Sequence, residues 1–170
     1  IHKDNDNQVD QLAFVRSRLF DMFIGDWGRH EDQWRWAETE EGKTTLYKPI
    51  PRDRDQAYTL FDGFLLKKII SFAGAKHLQN FDSTIKDVIK FNFPGRNMDF
   101  HLTNQVTVAQ WVEIAKDLQL RLTDKIIDEA VLQLPPEVYP ISGPSIAAKL
   151  KSRRNVLMQE GMRLYNYLSR

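Results

Sequence analysis

The chain has 170 residues, 24 Lys and Arg against 23 Asp and Glu, a formal charge of +1 and no cysteine. With 42% hydrophobic residues it is long enough to bury a core, which excludes a disordered tail. A balanced charge without a basic block removes the electrostatic argument for a nucleic-acid partner, and the lack of Cys excludes disulfide scaffolds, thiolate nucleophiles and Cys-ligated metals. Apolar runs are too short for a membrane span, and the polar stretch Ile1–Asn7 carries no signal-peptide pattern. That start reads as one domain, residues 1–170, cut from a larger multidomain protein.

The expected elements follow from periodicity. Residues 8–24 form a helix with Leu12, Val15, Leu19, Met22 and Phe23 on one face, stopped by Gly25. Asp26–Gln33 is an ordered loop with glycines close by and no apolar period. Trp34–Ala37 and Thr44–Ile50 read as a hairpin across the 38–43 turn, with Pro49 and Pro51 marking an edge strand or its end. Charged Arg52–Gln56 precedes an apolar helical stretch with Phe61, Phe64, Leu65, Ile69 and Phe72, closed by Gly74. Residues 80–104 carry short elements around the Pro94–Asn97 turn. Thr107 and Gln110 form a capping box ahead of one helix, Thr123–Asp124 starts a shorter one ended by Pro135–Pro136, and a last helix begins after Gly143–Pro144. The fold class is mainly α with one small β-hairpin.

A hairpin brings its outer ends together, so Asp26–Gln33 and Arg52–Gln56 should meet in space. Asp53 and Asp55 are hard oxygen donors of the kind Mg²⁺ prefers, Arg29, Arg52 and Arg54 match phosphate oxygens, and His30 suits proton transfer or orientation. Each has a plainer reading: Arg52–Asp55 as a solvated or structural ion-pair network, His30 as a loop anchor, and Trp27, Trp34 and Trp36 as core aromatics rather than a stacking platform. His2, His77 and His101 have no partner at zinc-ligand spacing. The pairs Lys67–Lys68 and Arg153–Arg154 read as solvated helix faces.

The order of helix, Asp/Gly-Arg-His loop, hairpin and Asp-containing loop resembles the C-terminal lobe of protein-kinase-like folds. Ile24-Gly25-Asp26-Trp27-Gly28-Arg29-His30-Glu31-Asp32-Gln33 is similar to the catalytic loop of phosphatidylinositol 3-kinases, with related versions in HipA toxin kinases, spore-coat CotH kinases and secretory-pathway casein-type kinases. The run through Tyr58 and the helical end also resemble an uncharacterised domain of large Bacteroidetes surface proteins. This resemblance implies a kinase-like C-lobe and a cell-envelope, extracytoplasmic location. It implies phosphoryl or nucleotidyl transfer with Mg²⁺ or Mn²⁺ and ATP. The loop candidates are then Asp26, Arg29, His30, Asp32 and Gln33, with Asp53 and Asp55 on metal and Arg52 and Arg54 on the nucleotide.

Gly28 stands where the kinase-like loop carries its catalytic Asp, and a glycine accepts no proton from a substrate hydroxyl. Asp26 or Asp32 would have to substitute, and the phosphate-binding N-lobe is not within these residues. Two further expectations stand beside the kinase-like one: a non-catalytic scaffold that packs against neighbouring domains of its own polypeptide, and a metal-dependent phosphoester hydrolase. No serine-hydrolase elbow, Walker loop or dinucleotide fingerprint is present.

Overall fold

The structure, a computed structural model, describes residues 7–42, 44–61 and 77–170. The expected helix through Phe64, Leu65, Ile69 and Phe72 and the Lys67–Lys68 pair lie outside them. Strands are β1 (Asn7–Val9), β2 (Trp34–Glu41) and β3 (Thr44–Pro51); helices are α1 (Gln11–Ile24), α2 (Val88–Phe91), α3 (Arg96–Leu102), α4 (Val108–Arg121), α5 (Asp124–Val131) and α6 (Tyr139–Leu168). The molecule is mainly helical with a small three-stranded sheet.

The first helix starts later than periodicity suggests because Asp10 caps it, its carboxylate accepting from the Ala13 N–H at 2.9 Å. Gln8 and Val9 instead belong to β1, which runs parallel to β3 in the order β1-β3-β2. A three-residue strand paired across such a sequence gap leaves too little period-2 pattern to read. The hairpin is longer than expected on both sides, with β2 continuing through Glu38–Glu41 to the turn at Gly42, whose φ of 68° suits a residue without Cβ. Pro49 and Pro51 sit in the central strand rather than an edge strand, and the strand ends at Pro51, the other alternative the prolines offered. They lie past the end of β1, which pairs only with Thr45–Tyr47, so their missing N–H costs no ladder bond.

The α4 capping box forms as read, and Thr123 caps α5. The last helix begins at Tyr139, so Gly143–Pro144 lies inside it rather than before it. The reason is local: Pro140 stands in the first turn, where an amide needs no intrahelical partner, and Pro144 in the second turn removes a single donor.

Helix α1 is the hub. Its Val15, Leu19 and Met22 are fully buried against Trp111, Ala115 and Leu118 of α4 and Leu157 and Leu164 of α6. Contact with α6 is close because position 161 is glycine: a Cβ there would lie 2.7 Å from the Leu19 Cδ2. A second, smaller core joins the sheet to the helices through Phe14, Trp34 and Leu102, with Val9, Trp36 and Met98 packed beside it. These two cores clamp the segment after α1 between them, which positions the candidate site.

Candidate functional site

Helix α1 ends at Gly25, whose left-handed backbone (φ 79°) turns the chain so that Asp26 N–H donates to the Asp21 carbonyl at 2.9 Å. The loop then folds back under the helix. Arg29, 1% exposed, donates through Nε to Asp21 Oδ2 at 2.9 Å and through Nη2 to Asp21 Oδ1 at 3.1 Å and Asp26 Oδ2 at 2.6 Å. Its Nη1 donates to the Gln33 carbonyl at 3.3 Å and to the Arg52 carbonyl. With Arg52 N–H donating to the Gln33 carbonyl at 2.8 Å, the two loops meet as the hairpin geometry predicts.

The network extends beyond the loops. Arg54 Nη1 donates to Asp21 Oδ1 at 2.9 Å, and Arg18 Nη1 to Asp21 Oδ2 at 3.2 Å. Arg18 also grips Asp99 of α3 through Nε at 2.7 Å and Nη2 at 3.0 Å, and donates to Asn92 Oδ1 at 2.9 Å. Three guanidiniums, Arg18, Arg29 and Arg54, thus face three carboxylates, Asp21, Asp26 and Asp99, and the cluster is formally neutral. Burial of an ion costs several kcal/mol unless charge and hydrogen-bond partners are supplied, and here each charged group has both. Burial disfavours the Arg18 cation, but Asp99 and Asp21 outweigh it and raise its pKa above the ordinary arginine value. For Asp26, burial and then the Asp21 charge push the pKa up, against Arg29.

Sequence reasoning named Asp26, Arg29 and Arg54 in this cluster and missed Arg18, Asp21, Asp99 and Asn92. A signal was available: Arg18 falls at three-and-four spacing between Phe14, Val15 and Met22, so a charge had to face the core and needed a buried partner.

The remaining candidates stand elsewhere. His30 and Asp32 are exposed and 3.9 Å apart, and Glu31–Gln33 forms a 3₁₀ turn with no side-chain cap from His30. Gln33 is buried, its Oε1 without a hydrogen-bond partner among the described residues. Arg52 is exposed and enters the network through its backbone, the carbonyl accepting from Arg29 and the N–H donating to the Gln33 carbonyl. Asp53 is exposed with φ 53°, a left-handed turn that Asp tolerates and that carries the chain from β3 to Arg54. Asp55, also exposed, accepts from Gln56 Nε2 at 3.0 Å. Gly28 lies under the Gln56 side chain, whose Cγ would be 2.8 Å from an added Cβ.

Trp27, Trp34 and Trp36 behave as the plainer reading expects, Trp27 packing half-buried against the main core. Trp34 packs tilted against Phe14 with centroids 4.8 Å apart, Trp36 stacks on Trp34 at 6.2 Å, and Trp111 is buried in the main core. Among the described residues no group of three or more His, Asp or Glu side chains gathers to hold a metal ion. Asp53 and Asp55 offer solvent-facing carboxylates without a third ligand, and Arg54 is already engaged by Asp21. These residues do not fit a preformed Mg²⁺–nucleotide cradle. Comparison with known proteins adds no assignment: no family model, curated protein or solved structure matches the chain.

Proposed function

We propose that this chain is an interaction domain of a larger cell-envelope protein, a kinase-like C-lobe that keeps the loop order of the fold and has turned its charged groups to structural use. The carrying observation is Arg29, which pairs with Asp21 and Asp26 together and ties the loop to both the Gln33 and Arg52 carbonyls. Asp26 is fully buried and bound this way, which withholds its carboxylate from a substrate hydroxyl, and the position before Arg29 is Gly28. The partners on this reading are neighbouring domains of the same polypeptide.

A second reading, phosphotransfer with Mg²⁺ or Mn²⁺ and ATP, draws on one observation: Asp26 has a raised proton affinity, as a general base requires. Metal-dependent phosphoester hydrolysis uses the same carboxylates. Incubation of the intact parent polypeptide with radiolabelled ATP and Mg²⁺ or Mn²⁺, with and without Gly28→Asp, separates the readings. The interaction-domain reading expects neither autophosphorylation nor phosphate release from either protein. Turnover by the wild type, or turnover restored by Gly28→Asp, overturns it.

A further inference from the structure

Strand β2 forms one outer edge of the sheet, and the phase of its ladder determines what that edge presents. In an antiparallel pair, opposed residues alternate between those that exchange hydrogen bonds and those whose N–H and C=O turn away. Two bonds set the phase here. Arg52 N–H donates to the Gln33 carbonyl, and 33 and 52 are the next opposed pair beyond Trp34–Pro51. The Tyr47 carbonyl, opposite Glu38, turns to the far side and accepts from Asp10 N–H at 2.9 Å. The backbone groups of Trp34, Trp36, Glu38 and Glu40 therefore face outward from the sheet. Pro51 and Pro49, opposite Trp34 and Trp36, agree, since neither has an N–H to give to β2. Arg35 occupies the Trp34 carbonyl at 3.2 Å. Trp36 to Glu40 remains, with no backbone partner for its outward groups among the described residues.

The side chains on this stretch share one face, because residues two apart on a strand point the same way. That face carries Trp36, half-buried and held by its stack on Trp34, and the exposed Glu38 and Glu40. A cavity of about 370 Å³ opens beside Trp36 against α3, lined also by Glu31, Met98 and His101. Glu31 supplies the one formal charge of its lining at neutral pH. An indole face, a thioether and a carboxylate together suit a cation. The basic neighbours Arg35 and Lys48 belong to the opposite face by the same alternation.

We propose that the β2 edge takes up an extended, basic segment of a partner protein as a fourth strand, with an Arg or Lys side chain seated over Trp36 in the Glu31 cavity. This deepens the interaction-domain reading and rests on it. Main-chain bonds at Trp36, Glu38 and Glu40 supply the affinity, and the acidic, aromatic face supplies the choice of partner. A second copy is the poorer occupant: edge-to-edge pairing would run Glu38 and Glu40 onto a continuous face with their own duplicates, and like charges across a strand pair are destabilising.

The test uses a blocked hexapeptide alternating valine and arginine, its counterpart with glutamate for arginine, and two versions of the arginine peptide N-methylated on either alternate set of residues. Binding is followed by the backbone amide shifts of the protein. The arginine peptide is expected to shift Trp36, Glu38 and Glu40 and to bind at least tenfold more tightly than the glutamate peptide. One methylation set should abolish binding and the other leave it intact. The double change Glu38→Lys with Glu40→Lys, at exposed positions, should weaken binding about tenfold with the fold unchanged by circular dichroism. Equal binding of the glutamate peptide, shifts confined to other residues, insensitivity to both methylation sets, or no binding at millimolar peptide overturns the proposal. So does peptide-free dimerisation that broadens the same three amides. ATP turnover in the separate assay would instead overturn the interaction-domain reading.

Discussion

Arg29 reaches back eight residues to hold Asp21 with two hydrogen bonds, at 2.9 and 3.1 Å, inside a core where both side chains are at most 1% exposed. Asp21 in turn is held by Arg18 and Arg54, so one carboxylate joins α1, the loop after it and the segment after the hairpin. Removing that charge leaves three guanidiniums around a neutral amide. Asp21→Asn should cost about 3–5 kcal/mol, the range for breaking a buried ion pair. Urea unfolding monitored by tryptophan fluorescence measures it, and a loss under about 1 kcal/mol contradicts the central role given to Asp21.

His30 and Asp32 occupy prominent places in the loop sequence but stand exposed, their side chains 3.9 Å apart. Alanine at either position should change stability by less than about 0.5 kcal/mol, as for other surface sites away from caps and networks. The same urea experiment checks this, and a large loss at His30 would restore it as a loop anchor.

Acid stability depends on opposing groups. Burial and the Asp21 charge raise the Asp26 pKa, so the folded state holds that proton more tightly than the unfolded chain does. Its contribution to stability therefore rises as the pH falls from the raised value toward the ordinary carboxylate value of 3.8. Asp117, held low by hydrogen bonds from Arg121 and Arg16, and Asp124, held low by Arg154, act the other way and lose stability as pH falls through their lowered values. Wild type should gain stability relative to Asp26→Asn between pH 7 and pH 4, measured by denaturant unfolding at each pH. Wild type losing ground to the variant over that range contradicts the sign.

The α1–α6 contact gives a packing prediction. A methyl at position 161 meets the Leu19 Cδ2 at 2.7 Å, and Leu19 is fully enclosed, so α6 must move or Leu19 must leave its rotamer. Gly161→Ala should destabilise by about 1–3 kcal/mol despite the better helix propensity of alanine. Thermal unfolding would show a lowered midpoint. An unchanged or raised midpoint means the helices have room to part.

Much of the fold was legible because the signals were local. The α4 capping box, the Gly25 stop and the hairpin each rest on residues within a few positions of one another. The elements that escaped depend on distant partners: β1 exists because Asn7–Val9 finds Thr45–Tyr47, and α6 starts at Tyr139 because one missing donor near a helix start is cheap. The site was read in part for the same reason. Hairpin geometry brought Asp26–Gln33 and Arg52–Gln56 together, whereas Asp99 lies 81 residues from the Arg18 that holds it, and no spacing rule links them. Asp53 and Asp55 carry metal chemistry as a sequence pattern, and among the described residues no group of three or more His, Asp or Glu side chains gathers about them.

The most direct measurement is calorimetric titration of Mg²⁺·ATP into the chain. With Asp21 and Asp26 held by Arg29, and Arg54 spent on Asp21, no binding heat is expected up to millimolar nucleotide. Micromolar binding that Asp53→Asn or Asp55→Asn removes would contradict the account and return the loops to phosphate chemistry.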